Sequence, residues 1–486
     1  MLDFAMTSLI GEWIKSSLFY LILLLNLVFV IIIISEKRNP VKSLAWISVL
    51  MFMPVVGFIF YIFFGRDQRS QRMISRKGKR KLKRLVEKNK DMSDTAVTDL
   101  DAESILQIKL GYNLTGATLT HNNKITLFTD GKSKFEALFH DIAEAKSFIH
   151  LQYYILDNDD IGSELKQLLI EKALNGVEVR ILYDDVGCWS WRIGHHYFDD
   201  LIAAGVQAKP FFKVTFPQLA NKLNYRNHRK VVIIDGKKGY LGGMNVADRY
   251  REGVSWGIWR DTHIRIEGNA VHELQSIFLV DWNFTTKELL SKQTYFPKIE
   301  PNDGKEKIQL VTSGPLDENK PIALMFLKGI TTAKERIYIQ TPYFLPSSEF
   351  IYAIQIASLS GVDVRIILPE HSDSPVLQRA SQSYITQMLR SGVKIYFYTA
   401  GFMHAKAMVI DNEFTTIGST NFDFRSFEQN FEINAFIYSR DFNAIYAAEF
   451  EKDRKNSRRI TLRSWRKRSM WRKVTESVLR LLSPLL

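Results

Sequence analysis

"NHRKVVIIDGKKGYLGGMN", residues 227–245, places His228 and Lys230 two apart, runs through Val231–Ile234 and reaches Asp235-Gly236. Alone it is ordinary hairpin material, a short apolar strand followed by a glycine turn. A second stretch changes its weight. "HAKAMVIDNEFTTIGSTN", residues 404–421, repeats the spacing with His404, Lys406 and Asp411. Each is followed by the same tail, Gly242-Gly243-x-Asn245 in one and Gly418-Ser419-x-Asn421 in the other. A single H-x-K-x4-D in a chain of 486 residues carries little information; two with matching tails carry a great deal.

The repetition extends outward from both stretches. "FIHLQYYIL" (148–156) returns as "RIYIQTPYFL" (336–345), with Gln152 answering Gln340. "NGVEVRIL" (175–182) returns as "SGVDVRII" (360–367), and "AAGVQAKPFF" (203–212) as "RSGVKIYFYT" (390–399). Strand-like runs alternate with helix-like segments that end in Gly-Val, the Gly fitting a helix C-terminal cap. This alternation predicts an α/β fold, built as two tandem α-β-α sandwich repeats related by a pseudo-two-fold.

On a strand, residues i and i+2 share a face, so each His projects beside its Lys. A pseudo-two-fold brings both pairs into one site, which suits a phosphodiester. Lys230, Lys406, Asn245 and Asn421 are expected to hold the non-bridging oxygens, with Ser419 alongside. One histidine serves as nucleophile and the other as general acid and base. The side chains supply the positive charge, so no metal or cofactor is expected. Asp235 and Asp411 belong to the motif as catalytic candidates, yet each precedes a turn residue, so shaping the turn is the alternative role. Asp261, in "WRDTHIRIEG", and Glu432, in "NFEINAFIY", are expected to orient the imidazoles as in triad logic, with Glu428 competing with Glu432 for His404. His195-His196 diverge on any regular element and read as structural, and His150 lies near the expected site without a role.

Charge and hydropathy place the chain at a membrane. Residues 66–90 and 452–486 each carry twelve Lys/Arg against two acids. These two basic segments account for more than the net +13, leaving the rest of the chain acidic. Before the first lie two apolar runs, Leu18–Ile34 and Leu44–Gly65, near the length of a bilayer core. They predict a transmembrane helical hairpin, with the cations after it placing the catalytic body on the cytoplasmic face of the cell membrane as a multi-pass protein. In the tail, Trp471, Val474, Val478 and Leu481 form an apolar stripe among Arg and Lys, the pattern of an interfacial helix. The lone Cys188 excludes an intramolecular disulfide.

The duplicated H-x-K-x4-D motif resembles the phospholipase D superfamily. "RNHRKVVIIDG", "GGMNVADRY", "WRDTH", "QTPYFLP", "GFMHAKAMVIDN" and "GSTNFDFRSFEQNFEINAFIY" resemble the bacterial cardiolipin synthases in particular, as does the amino-terminal double span. That resemblance implies phosphatidyl transfer from one phosphatidylglycerol to another, giving cardiolipin and glycerol. It also implies His228 as nucleophile and His404 as acid and base. Membrane phospholipids are the expected partners and nucleic acid is not. The expected divisions are two transmembrane helices over 1–65, a basic juxtamembrane linker over 66–120, phospholipase D-like domains over 121–298 and 299–451, and a basic amphipathic tail over 452–486.

Overall fold

The computed structural model describes residues 2–35, 40–61, 73–88, 100–189, 193–194, 196–214, 225–481 and 483. The chain divides into two units, the first made mainly of residues 1–68 and the second of the body from 69 onward.

In the first unit, Leu2–Ser35 is one helix, and its Lys15–Ser35 portion of 21 residues is long and apolar enough to cross a membrane. The second apolar run differs from expectation. It forms a helix over Pro40–Phe52 and a second over Pro54–Phe60, not one continuous span. Pro54 has no N–H for the preceding turn and starts a helix more readily than it continues one. A polar residue within the apolar stretch of the long helix meets this break: Asn26 Nδ2 donates to the Pro54 carbonyl at 2.9 Å. Ile33, Leu50 and Tyr61 form the small core of the unit. Residues 36–39 of the connector and 62–65 of the second run lie outside the described residues.

The body is organised on one sheet. The first repeat contributes β1 (Leu119–Phe128), β2 (Phe148–Tyr153), β3 (Glu178–Asp184), β4 (Gln207–Phe211), β5 (Val231–Ile234), β6 (Lys238–Gly242), β7 (Ile258–Arg260) and β8 (His263–Glu267). The second contributes β9 (Glu306–Ser313), β10 (Arg336–Gln340), β11 (Phe344–Leu345), β12 (Asp363–Pro369), β13 (Lys394–Tyr398), β14 (Gly401–Met403), β15 (Ala407–Ile410), β16 (Phe414–Gly418), β17 (Phe422–Asp423), β18 (Glu432–Tyr438) and β19 (Ser457–Ile460). The sheet order is β19-β13-β12-β10-β15-β16-β18-β9-β1-β8-β6-β5-β2-β3-β4. Apart from β19 and the short strands β7, β11, β14 and β17, the order reads the same in both directions from the β1–β9 seam. That is the pseudo-two-fold.

Strand alternation divides the core between the two faces. Val231, Ile233, Ala407 and Val409 point to one side, where the helices Ala270–Thr286 and Arg440–Lys455 cover both repeats in a continuous cluster. Val232 and Ile234 point to the other side in the first repeat, Met408 and Ile410 in the second, each into a cluster of its own. The matched glycines before β3 and β12, Gly176 at φ 84° and Gly361 at φ 99°, take the left-handed conformation that ends the preceding helix. The tail helix Met470–Arg480 is packed the reverse way from an ordinary amphipathic helix. Its Glu476 is 2% exposed and paired with Arg468 and Arg472, while Trp471 is 79% exposed and Leu481 78%.

Candidate active site

β5 and β15 are buried on both faces, and the residues just before them cross the seam between repeats. The His228 N–H donates to the Phe431 carbonyl at 3.0 Å, and the His404 N–H to the Arg260 carbonyl at 2.7 Å. Each motif start is thus held against the segment leading into the other repeat's β18 or β8. Both imidazoles line one cavity of about 460 Å³, together with Asn245, Asn421, Arg249 and Arg425.

The carboxylates are exchanged between repeats. Glu432 accepts from His228 Nδ1 at 2.9 Å, and Asp261 lies 2.5 Å from His404 Nδ1. This leaves His228 Nε2 for the cavity, while His404 Nε2 also has Lys406 Nζ 3.2 Å away. Ser419 Oγ donates to Glu432 and bonds the Ile433 backbone, which fixes the carboxylate. Its counterpart Gly243 has no side chain for a steric reason: a Cβ there would stand 2.1 Å from Asp261 Oδ1. Lys230 and Lys406 are buried below the imidazoles, each donating to the carbonyl of its own histidine, at 2.6 and 2.5 Å.

Burial, opposed by Glu432 and reinforced by Lys230, brings His228 down to about 4. Burial and the Lys406 ammonium bring His404 to about 4 as well, against the pull of Asp261. Burial also lowers both lysines, Lys230 well below its ordinary value. For the carboxylates burial acts upward, but His228 and Lys230 outweigh it at Glu432, and Lys406 and His404 do so at Asp261, so both fall below the usual range. The resting arrangement is therefore two neutral imidazoles, each with an ionised carboxylate behind it.

The chain resembles known proteins over nearly its whole length. The family described as "Cardiolipin synthase, PLD-like domain" matches residues 138–282 and 326–454, and one described as "Phospholipase D-nuclease N-terminal" matches residues 24–66. The major cardiolipin synthase ClsA of Bacillus subtilis is 41% identical over 483 residues, 97% of this chain and all of that one. A cardiolipin synthase of Halalkalibacterium halodurans is 38% identical over 479 residues, 98% of this chain and 95% of the other. The chain belongs to the cardiolipin synthase family. Among solved structures, the phosphatidylserine synthase of Haemophilus influenzae shares the fold at a TM-score of 0.60 and 12% identity, covering 78% of this chain and 98% of its own.

In this cardiolipin synthase family member the expected residues divide into three groups. His228, His404, Asn245 and Asn421 meet at the cavity. Lys230, Lys406, Asp261, Glu432 and Ser419 stand behind them. The third group, Asp235 and Asp411, lies elsewhere. Asp235 closes the far end of β5 at φ 52°, and its carboxylate accepts the backbone N–H groups of Lys146, Ser147 and Phe148 at 2.7–2.9 Å. Asp411 does the same for Lys334, Glu335 and Arg336. Both sit at turns and hold strand starts, and neither lines the cavity. Glu432 braces His228, not His404, because the seam sets β18 beside the first repeat's motif; Glu428 pairs with Lys320 at 2.6 Å. His150 is buried away from the cavity, bonded to Gln275 and stacked on Phe278. His196 is an exposed partner of Asp199, and His195 lies outside the described residues. Sequence reasoning missed Arg249 and Arg425, although both follow their Asn by four residues, a repeat-wide match that was visible.

Proposed function

We propose that this protein is a cardiolipin synthase transferring a phosphatidyl group between two phosphatidylglycerol molecules, with release of glycerol. The observation that carries the reading is the pair of imidazoles lining one cavity, each with a carboxylate on Nδ1. In the first step His228 Nε2 bonds to phosphorus, the bond from phosphorus to the glycerol oxygen breaks, and His404 gives that oxygen a proton. In the second, the hydroxyl of another phosphatidylglycerol gives its proton to His404, its oxygen bonds to phosphorus, and the phosphorus–His228 bond breaks. Glu432 and Asp261 hold the rings in the tautomer this needs and stabilise the charged forms. Lys230 and Lys406 offset the phosphate charge from below, and Asn245 and Asn421 flank the non-bridging oxygens. A neutral His228 is the competent nucleophile, and the negative charge of the bound phosphodiester favours the protonated His404 that the departing glycerol requires.

A lipid acceptor requires the cavity to work at a bilayer. The apolar Lys15–Ser35 helix supports anchoring, and we place both apolar runs in the cell membrane with the body on its cytoplasmic face, following the basic residues after them. The test is incubation of the purified protein with labelled phosphatidylglycerol vesicles. Cardiolipin and free glycerol in equal amounts, lost in His228→Ala, are expected. Phosphatidic acid as the sole product would refute the reading.

A further inference from the structure

Around the cavity the two repeats match residue for residue, and they differ in one consistent respect. The motif offset of 176 residues carries through Asn245 and Asn421 to Arg249 and Arg425, then to Tyr250 and Ser426. Strand register extends the match. Gly242 pairs with His263 and Gly418 with Asn434, so Trp259 answers Asn430. The parallel bridges Leu156 to Val246 and Phe344 to Phe422 make Asp157 the counterpart of Leu345.

In the first repeat these positions brace one another. Arg249 is ion-paired with Asp157 at 2.6 Å and lies over the rings of Tyr250 and Trp259, at 5.5 and 5.6 Å. Asn245 donates to the Tyr250 hydroxyl at 2.7 Å and accepts from the Ile155 N–H. In the second repeat the three side-chain partners are replaced: Asp157 by Leu345, Tyr250 by Ser426, Trp259 by Asn430. Arg425 lines the same cavity and acts on Asp423 through space, but among the described residues no carboxylate stands within ion-pair distance of it and no side-chain hydrogen bond engages it. Asn421 shows the same thing independently, its Oδ1 buried without a partner. Of the cavity carboxylates on this side, Asp423 accepts from the Ser426 N–H and Asp373 from the Tyr343 hydroxyl, each at 2.7 Å.

A guanidinium is a planar fork that fits phosphate with two parallel hydrogen bonds. The transferred phosphate is already served by the histidines and lysines. On the phosphatidyl-transfer reading, a second phosphodiester must enter the same cavity, the one carried by the acceptor. We infer that Arg425 is the binding residue for the acceptor lipid's own phosphate, and that it selects a phosphate-bearing alcohol over a neutral one. Arg425 exchanges no proton. It holds the acceptor while the acceptor hydroxyl gives its proton to His404 and its oxygen replaces the His228 nitrogen on phosphorus. Arg249, locked in its cage, supports the cavity wall.

The inference rests on the phosphatidyl-transfer reading, and two reactions of the full-length protein separate them. One is cardiolipin formation from phosphatidylglycerol. The other is incorporation of labelled glycerol into phosphatidylglycerol, in which the acceptor carries no phosphate. Arg425→Ala should slow cardiolipin formation about tenfold or more, the loss of a charge-assisted hydrogen bond, and leave glycerol exchange within about twofold. Arg425→Lys should recover part of the loss. Retained exchange in the same preparation shows that the variant is folded. Equal change in both reactions, no change in either, or the same selective loss in Arg249→Ala overturns the assignment. A wild-type protein yielding only phosphatidic acid would instead refute the transfer reading itself.

Discussion

Each pocket histidine stands between an ammonium and a carboxylate that pull its basicity in opposite directions. Burial decides the contest, and both imidazoles are neutral down to about pH 4. A nucleophile must be unprotonated, so activity is lost as pH falls through that value. The acid limb of kcat/KM, which reports the free enzyme, is expected near 4 and not near the ordinary histidine value of about 6.5, and because the departing glycerol needs a protonated His404, kcat/KM is expected to decline again above that value. A pH–rate series in mixed micelles measures it, and a limb at the ordinary value would contradict the burial argument. Replacing Glu432 with Gln, or Asp261 with Asn, keeps the shape of the brace and removes its charge. Each change should cut turnover by on the order of 10²–10⁴-fold while the protein melts near the wild-type temperature. Rates near wild type would show that the imidazoles need no brace.

At the scale of the element, the two Asp residues that complete the motif act on strands. Asp235 gathers three N–H groups at the start of β2, which would otherwise lack partners at the end of a buried strand. Its left-handed φ of 52° also disfavours alanine. Asp235→Ala should therefore lower stability by about 1–3 kcal/mol, seen as a lower denaturant midpoint, with kcat of the folded protein within about twofold of wild type. A large loss of kcat with unchanged stability would return Asp235 to the chemistry. The alternation of strands and helices and the duplicated motif were legible in the sequence because periodicity and spacing are local. The exchange of carboxylates was not. Glu432 reaches His228 across 204 residues and Asp261 reaches His404 across 143, and only the β1–β9 seam brings them together. The interruption of the second apolar run was legible in principle, since Pro54 stands inside it, but hydropathy averages over a single proline.

The whole molecule presents its tail helix with the polar face inward. Glu476 bonds Arg468 and Arg472 against the body, and the stripe read from the sequence, Trp471, Val474, Val478 and Leu481, faces out. Water gives this face nothing to bury against; a bilayer interface does, and the surrounding cations favour an anionic one. The helix packs on Pro375–Arg390, whose first turn supplies Leu377 to the cavity wall, so seating it in lipid brings the substrate cavity to the headgroups. In full-length protein reconstituted in anionic vesicles, bromine-labelled acyl chains should quench part of the tryptophan emission, and Trp471→Phe should remove that part. Quenching identical in the two proteins would place the face in water.

A duplication commonly leaves one copy at liberty to drift. Here the copies hold each other to account, because the carboxylate encoded in one half serves the imidazole encoded in the other, and backbone hydrogen bonds cross between the halves beside them. A lesion in either half disables both, so neither can decay into a mere scaffold for its twin. Divergence reaches the shell around that shared centre, where Ser426 and Asn430 stand in place of Tyr250 and Trp259, and it is there that relatives with different acceptors should be sought.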